Sequence, residues 1–235
     1  MRTPLLIALA VTSTTPAFQV SAQTGRHHFV VPGLPGGGFG IPIESVLQRR
    51  FHGVIRQQYD FSCGSASLAT LLRFHYGVRA DEAIVFDGMW AHGDHSLIHS
   101  QGFSLLDMKF YLNAIGLQAD GYRVKLDRIA TTGVPGIVLT STGGYRHFVV
   151  VKGVTDSEVL VGDPAKGLIA YPRARFEAIW DGLYFVVTSA QETGKRSFNH
   201  RAEWASVGRA PIGNAFGRPV EISALRVAAP VLGDF

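Results

Sequence analysis

One cysteine, at position 63, is all the thiol chemistry that this 235-residue chain possesses. A lone thiol makes no internal disulfide, so no disulfide framework holds the fold. Charge is also sparse. Asp, Glu, Lys and Arg supply 17% of the residues, and no Lys/Arg run exceeds two. The formal charge of +4 and a pI near 9.4 therefore imply neither a nucleic-acid groove nor a polybasic membrane patch. Long apolar runs are missing too. The longest at the amino end, residues 5–11 (Leu-Leu-Ile-Ala-Leu-Ala-Val), is too short to span a bilayer.

What is present begins with an export pattern. Arg2 supplies a positive charge ahead of that apolar run, and Val20-Ser21-Ala22 offers a small-x-small cleavage site before Gln23. Residues 1–22 are expected to be a signal peptide, giving a periplasmic or secreted protein with no transmembrane segment after its removal. Residues 23–43, with Pro32-Gly33-Leu34-Pro35-Gly36-Gly37-Gly38, have no usable periodicity and read as a linker or arm. Helices are predicted over 63–76, with Ser62 as its N-cap, over 80–90 and over 104–116, the last with Ser104 and Asp107 as a capping box. The stretch 91–103 reads as a loop. Beyond it the pattern alternates, with strands over 118–124, 136–141, 145–154, 158–162, 168–171 and 183–188. Thr142-Gly143-Gly144 reads as a hairpin turn, and Pro172 opens a short helix. Helices first and an antiparallel sheet afterwards define an α+β domain over 44–189. Residues 190–235 lose regular spacing and read as an irregular tail.

The chemistry gathers around the cysteine. Cys63 opens an apolar-periodic helix, where the positive end of the helix dipole favours a thiolate. His147 lies in one predicted strand and Asp163 at the end of the next, so a short hairpin brings them together. The carboxylate would fix one imidazole nitrogen and turn the other toward the thiol. A nucleophile, a base and an orienting acid are the minimum set for cysteine-dependent acyl transfer. The backbone N–H of Cys63 would be one oxyanion donor and an upstream glutamine side chain the other. Spacing does not choose between Gln57 and Gln58. No metal or organic cofactor is required. His92, Asp94, His95 and His99 cluster in eight residues, but without a ligand spacing suited to zinc, and read as a polar loop overhanging the site.

The pattern Gln57-x5-Cys63-Gly64-x-Ala66-x-Leu68, the strand Tyr145-x-His147-Phe148-Val149-Val150-Val151, and Asp163-Pro164 together resemble the peptidase C39 family. The Phe176-x3-Trp180-x-Gly182-x-Tyr184 stretch is similar as well, so the likeness covers residues 48–189. It implies a papain-like fold, with N-terminal helices packed on an antiparallel sheet. It also implies Cys63 as nucleophile, His147 as base and acid, Asp163 as orienter and, of the two glutamines, Gln57 as oxyanion donor. Members of the family remove leader peptides after a Gly-Gly pair, usually as part of transporters. An export signal ahead of the likeness makes this chain similar instead to stand-alone, exported members, one group of which accompanies functional-amyloid (Fap-type) secretion systems. Where the family usually has an acidic residue immediately before the cysteine, this chain has Ser62.

The expectation is therefore an exported cysteine endopeptidase, cutting after Gly-Gly if it keeps the family's preference. Its partners would be an extended peptide or an unfolded co-exported protein, such as an amyloid or secretion-system subunit. The alternatives are a non-cleaving binding module that holds a leader or assembly subunit, and a cell-wall amidase or transglutaminase-like enzyme on the same scaffold. Retention of Cys63, His147 and Asp163 argues against the first, and the residues around His147 and Asp163 against the second.

Overall fold

The computed structural model describes residues 27–30, 40–43 and 46–207. The expected signal peptide and the carboxyl-terminal part of the expected tail lie outside the described residues. Two compact units divide at Glu44. In the first, strands β1 (His27–Val30) and β2 (Gly40–Ile43) pair antiparallel. Four-residue strands interrupted by prolines and glycines leave no period to detect, so the expected linker or arm carries elements that its sequence does not announce.

The second unit begins with the short helix α1 (Val46–Arg50). Four further helices follow: α2 (Cys63–His75), α3 (Glu82–Trp90), α4 (His95–Gln101) and α5 (Leu105–Ala114). Helix α2 is buried along almost its whole length, from Cys63 to Leu72, which marks it as the central helix. Asp81 caps α3 and Ser104 caps α5 in the expected capping box with Asp107. Helix α4 corrects the reading of 91–103 as a loop. Asp94 caps it by accepting from the Ser96 and Leu97 amides, but only Ile98 is buried, so no apolar stripe announced it.

Strand β3 (Ala119–Arg123), helix α6 (Leu126–Thr132), strands β4 (Gly136–Thr142), β5 (Tyr145–Val154), β6 (Glu158–Asp163) and β7 (Gly167–Pro172), helix α7 (Arg173–Glu177) and strand β8 (Trp180–Val187) complete the core. The strands form one antiparallel sheet in the order β3-β8-β4-β5-β6-β7. Gly143 and Gly144, both at positive φ, make the two-residue turn between β4 and β5. That conformation matches the twist of a tight hairpin and suits glycine.

Both faces of the sheet are covered. Phe148 and Val150 of β5 pack with Leu68, Leu72 and Met108, while the alternate Val149 and Val151 pack with Leu126, Ile129 and Phe176. Double-sided burial explains why β5 reads as a continuous apolar run. Residues 190–207, expected to be irregular, instead carry helices α8 (Gln191–Lys195) and α9 (Arg201–Val207). Trp204 and Val207 of α9 pack with Phe51 against Val54, Leu160 and Leu168.

Candidate active site

Cys63 is the first residue of α2 and is buried. Ser62 stands at the helix cap, as expected, but its side chain makes no capping bond. Its hydroxyl turns back instead, accepting from the Tyr59 amide at 3.1 Å. The first-turn amides of α2, including that of Cys63, thus have no side-chain cap. They are polarised donors at the positive end of a helix. Gly64, next to the thiol, is tightly enclosed: a Cβ there would lie 3.0 Å from Phe103 Cβ and 3.1 Å from Met108 Cε, so either neighbour would have to give way.

The sheet brings the other two groups to the end of β5 and β6. Their register pairs Val150 with Gly162, so Asp163 comes one same-face step from His147. His147 Nε2 lies 2.8 Å from Asp163 Oδ1. Asp163 Oδ1 also accepts from the amides of Ala165 at 2.8 Å and Lys166 at 3.2 Å. This turn hydrogen bonding fixes the carboxylate before it meets the imidazole. Both side chains are buried.

Burial alone would pull the His147 pKa down and push that of Asp163 up. Their mutual hydrogen bond and charge outweigh it. With Cys63 adding to the effect on the ring, His147 is raised from 6.5 to about 9. Asp163 is held below the usual carboxylate value by His147 and the Ala165 amide. His147 Nδ1 is buried and has no fully formed hydrogen bond, yet Cys63 acts on the ring through hydrogen bonding and charge. A loose thiol–imidazole contact is ordinary in a resting enzyme and tightens when substrate binds.

Gln57 is half-buried and Gln58 exposed. The Gln57 amide N–H donates to Pro164 O at 3.0 Å, tying this segment to the turn that follows Asp163. Its side-chain Nε2 donates one hydrogen to Tyr59 O at 3.0 Å, which leaves the second amide hydrogen for another acceptor. A further bond locks α2 to the sheet: Ser67 Oγ donates to Phe148 O at 3.0 Å, beside His147.

Two residues near these groups have no role assigned to them by the sequence. Tyr145 stacks on His147, with ring centroids 5.9 Å apart and planes at 25°. Burial, with the charges of Cys63, Asp60 and Asp163, raises its pKa. Tyr145, His147, Asp163, Thr142 and Lys166 line a cavity of about 120 Å³. The other is Glu82, which bonds the hydroxyl of Ser62. Where the resemblance leads one to expect an acid, a serine thus receives a carboxylate through space. Tyr145 stands in the sequence motif of β5 without a role of its own, and nothing local points to Glu82.

The histidine-rich stretch is engaged otherwise. His95 stacks on Trp90 at 4.2 Å, and His99 packs edge-on against the same ring. No group of three or more possible metal ligands occurs among the described residues. No helix among them is long and apolar enough to cross a membrane.

A cysteine at a helix start, with a hydrogen-bonded His–Asp pair on an antiparallel sheet, fits the fold of a papain-like cysteine peptidase. The peptidase C39 family model matches residues 52–192, and the chain belongs to that family. It is 43% identical over 157 residues to the probable functional amyloid protease FapD of Pseudomonas aeruginosa, covering 66% of this chain and 70% of that one. The FapD of Pseudomonas fluorescens is 42% identical over 158 residues, covering 67% and 70%. Among solved structures, a double glycine motif protease from an AMS/PCAT transporter, in complex with its leader peptide, is 26% identical. It covers 57% of this chain and 89% of that one, with a TM-score of 0.47.

Proposed function

We propose that the chain is an exported endopeptidase in which Cys63, His147, Asp163 and Gln57 carry the reaction. The observation that carries this reading is the buried His147. One ring nitrogen is fixed by Asp163, and the other is left without a full partner beside the thiol. Cys63 passes its thiol proton to His147, its Sγ attacks the peptide carbonyl carbon, and the Cys63 N–H and Gln57 Nε2 donate to the oxygen as it gains charge. The His147 imidazolium gives its proton to the departing amine, leaving a thioester. His147 then takes a proton from water, which attacks the thioester and frees the second product as Cys63 is restored. Asp163 holds the ring in the required tautomer throughout.

The substrate is an extended or unfolded segment of a co-exported protein, of the amyloid or secretion-system subunit type. This rests on the similarity to two probable functional amyloid proteases and on the expected signal peptide, which supports a periplasmic or secreted enzyme. Cleavage after Gly-Gly rests on the family resemblance.

The test is mass-spectrometric detection of cuts in a peptide library with and without Gly-Gly pairs, under reducing conditions, by the protein and by Cys63→Ala. Cuts made only by the unsubstituted protein are expected. Binding of library peptides with equal affinity by both proteins, and no cuts by either, would establish the non-cleaving module instead.

A further inference from the structure

The loop that joins Gln57 to Cys63 is exposed at Gln58, Tyr59 and Asp60, and the rings of Tyr59 and Phe61 pack its middle against Phe86 of α3. Two polar anchors hold its ends. One is the Gln57 N–H on Pro164 O. The other is a single carboxylate oxygen reaching in from α3. Glu82 Oε1 accepts from the Gln58 amide at 2.9 Å and bonds the Ser62 hydroxyl. Ser62 in turn accepts from the Tyr59 amide, and its own amide donates to Tyr59 O at 3.2 Å. One oxygen thereby gathers the beginning and the end of the loop.

Glu82 is an expensive way to hold a loop. It is 3% exposed, and its second oxygen, Oε2, is buried with no hydrogen-bond partner. Burying a carboxylate costs stability unless its bonds compensate. The first turn of α3, where Glu82 sits, offsets part of the charge. Yet α3 does not need Glu82 as a cap, because Asp81 already accepts the Ile84 amide at 2.8 Å. Phe86 of α3 packs on the middle of the loop; what Glu82 adds is a hydrogen-bonded tie from α3 to both of its ends, at Gln58 and Ser62.

Resting on the peptidase reading above, we infer that Glu82 is a positioning residue, setting where the Gln57 side chain stands relative to the Cys63 amide. It touches neither substrate nor thiol. Its work is to keep two oxyanion donors on opposite ends of an exposed loop at a constant separation. Displacing such a donor lowers turnover while leaving ground-state binding largely alone.

The experiment uses the full chain as wild type, Glu82→Ala and Glu82→Gln. Each is assayed on a peptide that the wild type cuts, and for alkylation of Cys63 by iodoacetamide, a reaction that builds no oxyanion. Glu82→Ala is expected to lose about 100-fold in kcat, with KM and the alkylation rate each within about threefold of wild type. Glu82→Gln keeps an oxygen for the same two bonds and is expected to recover to within about tenfold. Should Glu82→Ala fail to fold, Ser62→Ala removes the far end of the same clamp and is expected to lower kcat alone. Unchanged kcat in Glu82→Ala overturns the inference while leaving the peptidase reading intact. A parallel fall in kcat and alkylation, without rescue by Gln, overturns it in favour of a structural role. A wild type that cuts no peptide ends the peptidase reading itself, and the inference with it.

Discussion

Replacing Glu203 by alanine tests whether the residues after 190 belong to the folded domain. Lys152 lies near the end of β5 with its side chain fully buried. Its ammonium donates to Gly53 O at 2.7 Å, lies 5.3 Å from the centre of the Phe74 ring, and forms an ion pair with Glu203 of α9. Burial pulls the Lys152 pKa below its ordinary 10.5, and Glu203 opposes that pull. Removing the carboxylate leaves a buried cation whose remaining bonds are to neutral groups. Breaking a buried pair from one side costs about 3–5 kcal/mol, and the lower figure applies because Glu203 is partly exposed. For a domain of this size, about 3 kcal/mol corresponds to a fall in Tm of roughly 6–12 °C. Calorimetry on Glu203→Ala reads that shift directly. The sign of its pH dependence is a second signature. With the folded-state pKa depressed, the unfolded chain binds the extra proton, so the deficit narrows as pH rises toward 10.5. Adding Lys152→Met in the same background should recover much of the loss, since an apolar side chain of similar length needs no counter-charge. A Tm within about 1 °C of wild type would refute the argument, showing that Gly53 O and the Phe74 ring suffice.

The raised His147 predicts an alkaline limb. Its stabilisation by Asp163 and Cys63 is complete below 6.5 and is lost as pH rises through about 9. Both kcat/KM on a cleaved peptide and the unfolding free energy should decline there, and a limb near 6.5 would show an unpaired ring. Gln57→Ala should lower kcat by about 10²–10³ with little change in KM. Equal loss in Gln58→Ala would show that the wrong glutamine was chosen. Gly64→Val should destabilise by about 1–3 kcal/mol through crowding against Phe103 and Met108, read as a lower urea midpoint at unchanged slope.

Local chemistry made much of the frame legible. A capping box marks Ser104, a glycine pair the β4–β5 turn, and double-sided burial the run Phe148-Val149-Val150-Val151. Cys63 at the start of α2, and the nearness of His147 to Asp163, followed from helix period and hairpin geometry. What escaped is held by partners distant in sequence. Helix α6 was not foreseen, since its last turn is two threonines whose hydroxyls bond back to Asp127 O and Arg128 O. Helices α8 and α9 present few apolar residues. Beside the packing of Trp204 and Val207, they and the turn between them dock through polar groups: Ser197 Oγ on His75 Nδ1 at 2.7 Å, the Asn199 amide on Lys152 O, and Glu203 on Lys152. Ser62 was read as a simple cap because Glu82, twenty residues away, is invisible to any local pattern.

These ties also explain why the site and the carboxyl-terminal helices cannot be treated as separate matters. The thiol belongs to a helix and the His–Asp pair to a sheet, so their separation depends on how firmly α2 is held against β5. Ser67 Oγ on Phe148 O fixes that contact one residue from His147, and Gly64 permits close packing at the helix start. Five residues past His147, the ladder with β6 shifts register between Val151 and Gly153. At that irregularity the strand turns Lys152 toward Gly53 and Glu203. Asn199 covers the same place, its amide on Lys152 O and its Nδ2 on Val154 O. A bulge leaves backbone groups without ladder partners, and here the segment after α8 supplies them. Cutting the chain at 190 would strip those partners from the strand that carries the base. The expected loss is of folded enzyme rather than of chemistry: kcat per folded molecule is kept, while the folded fraction at 37 °C falls.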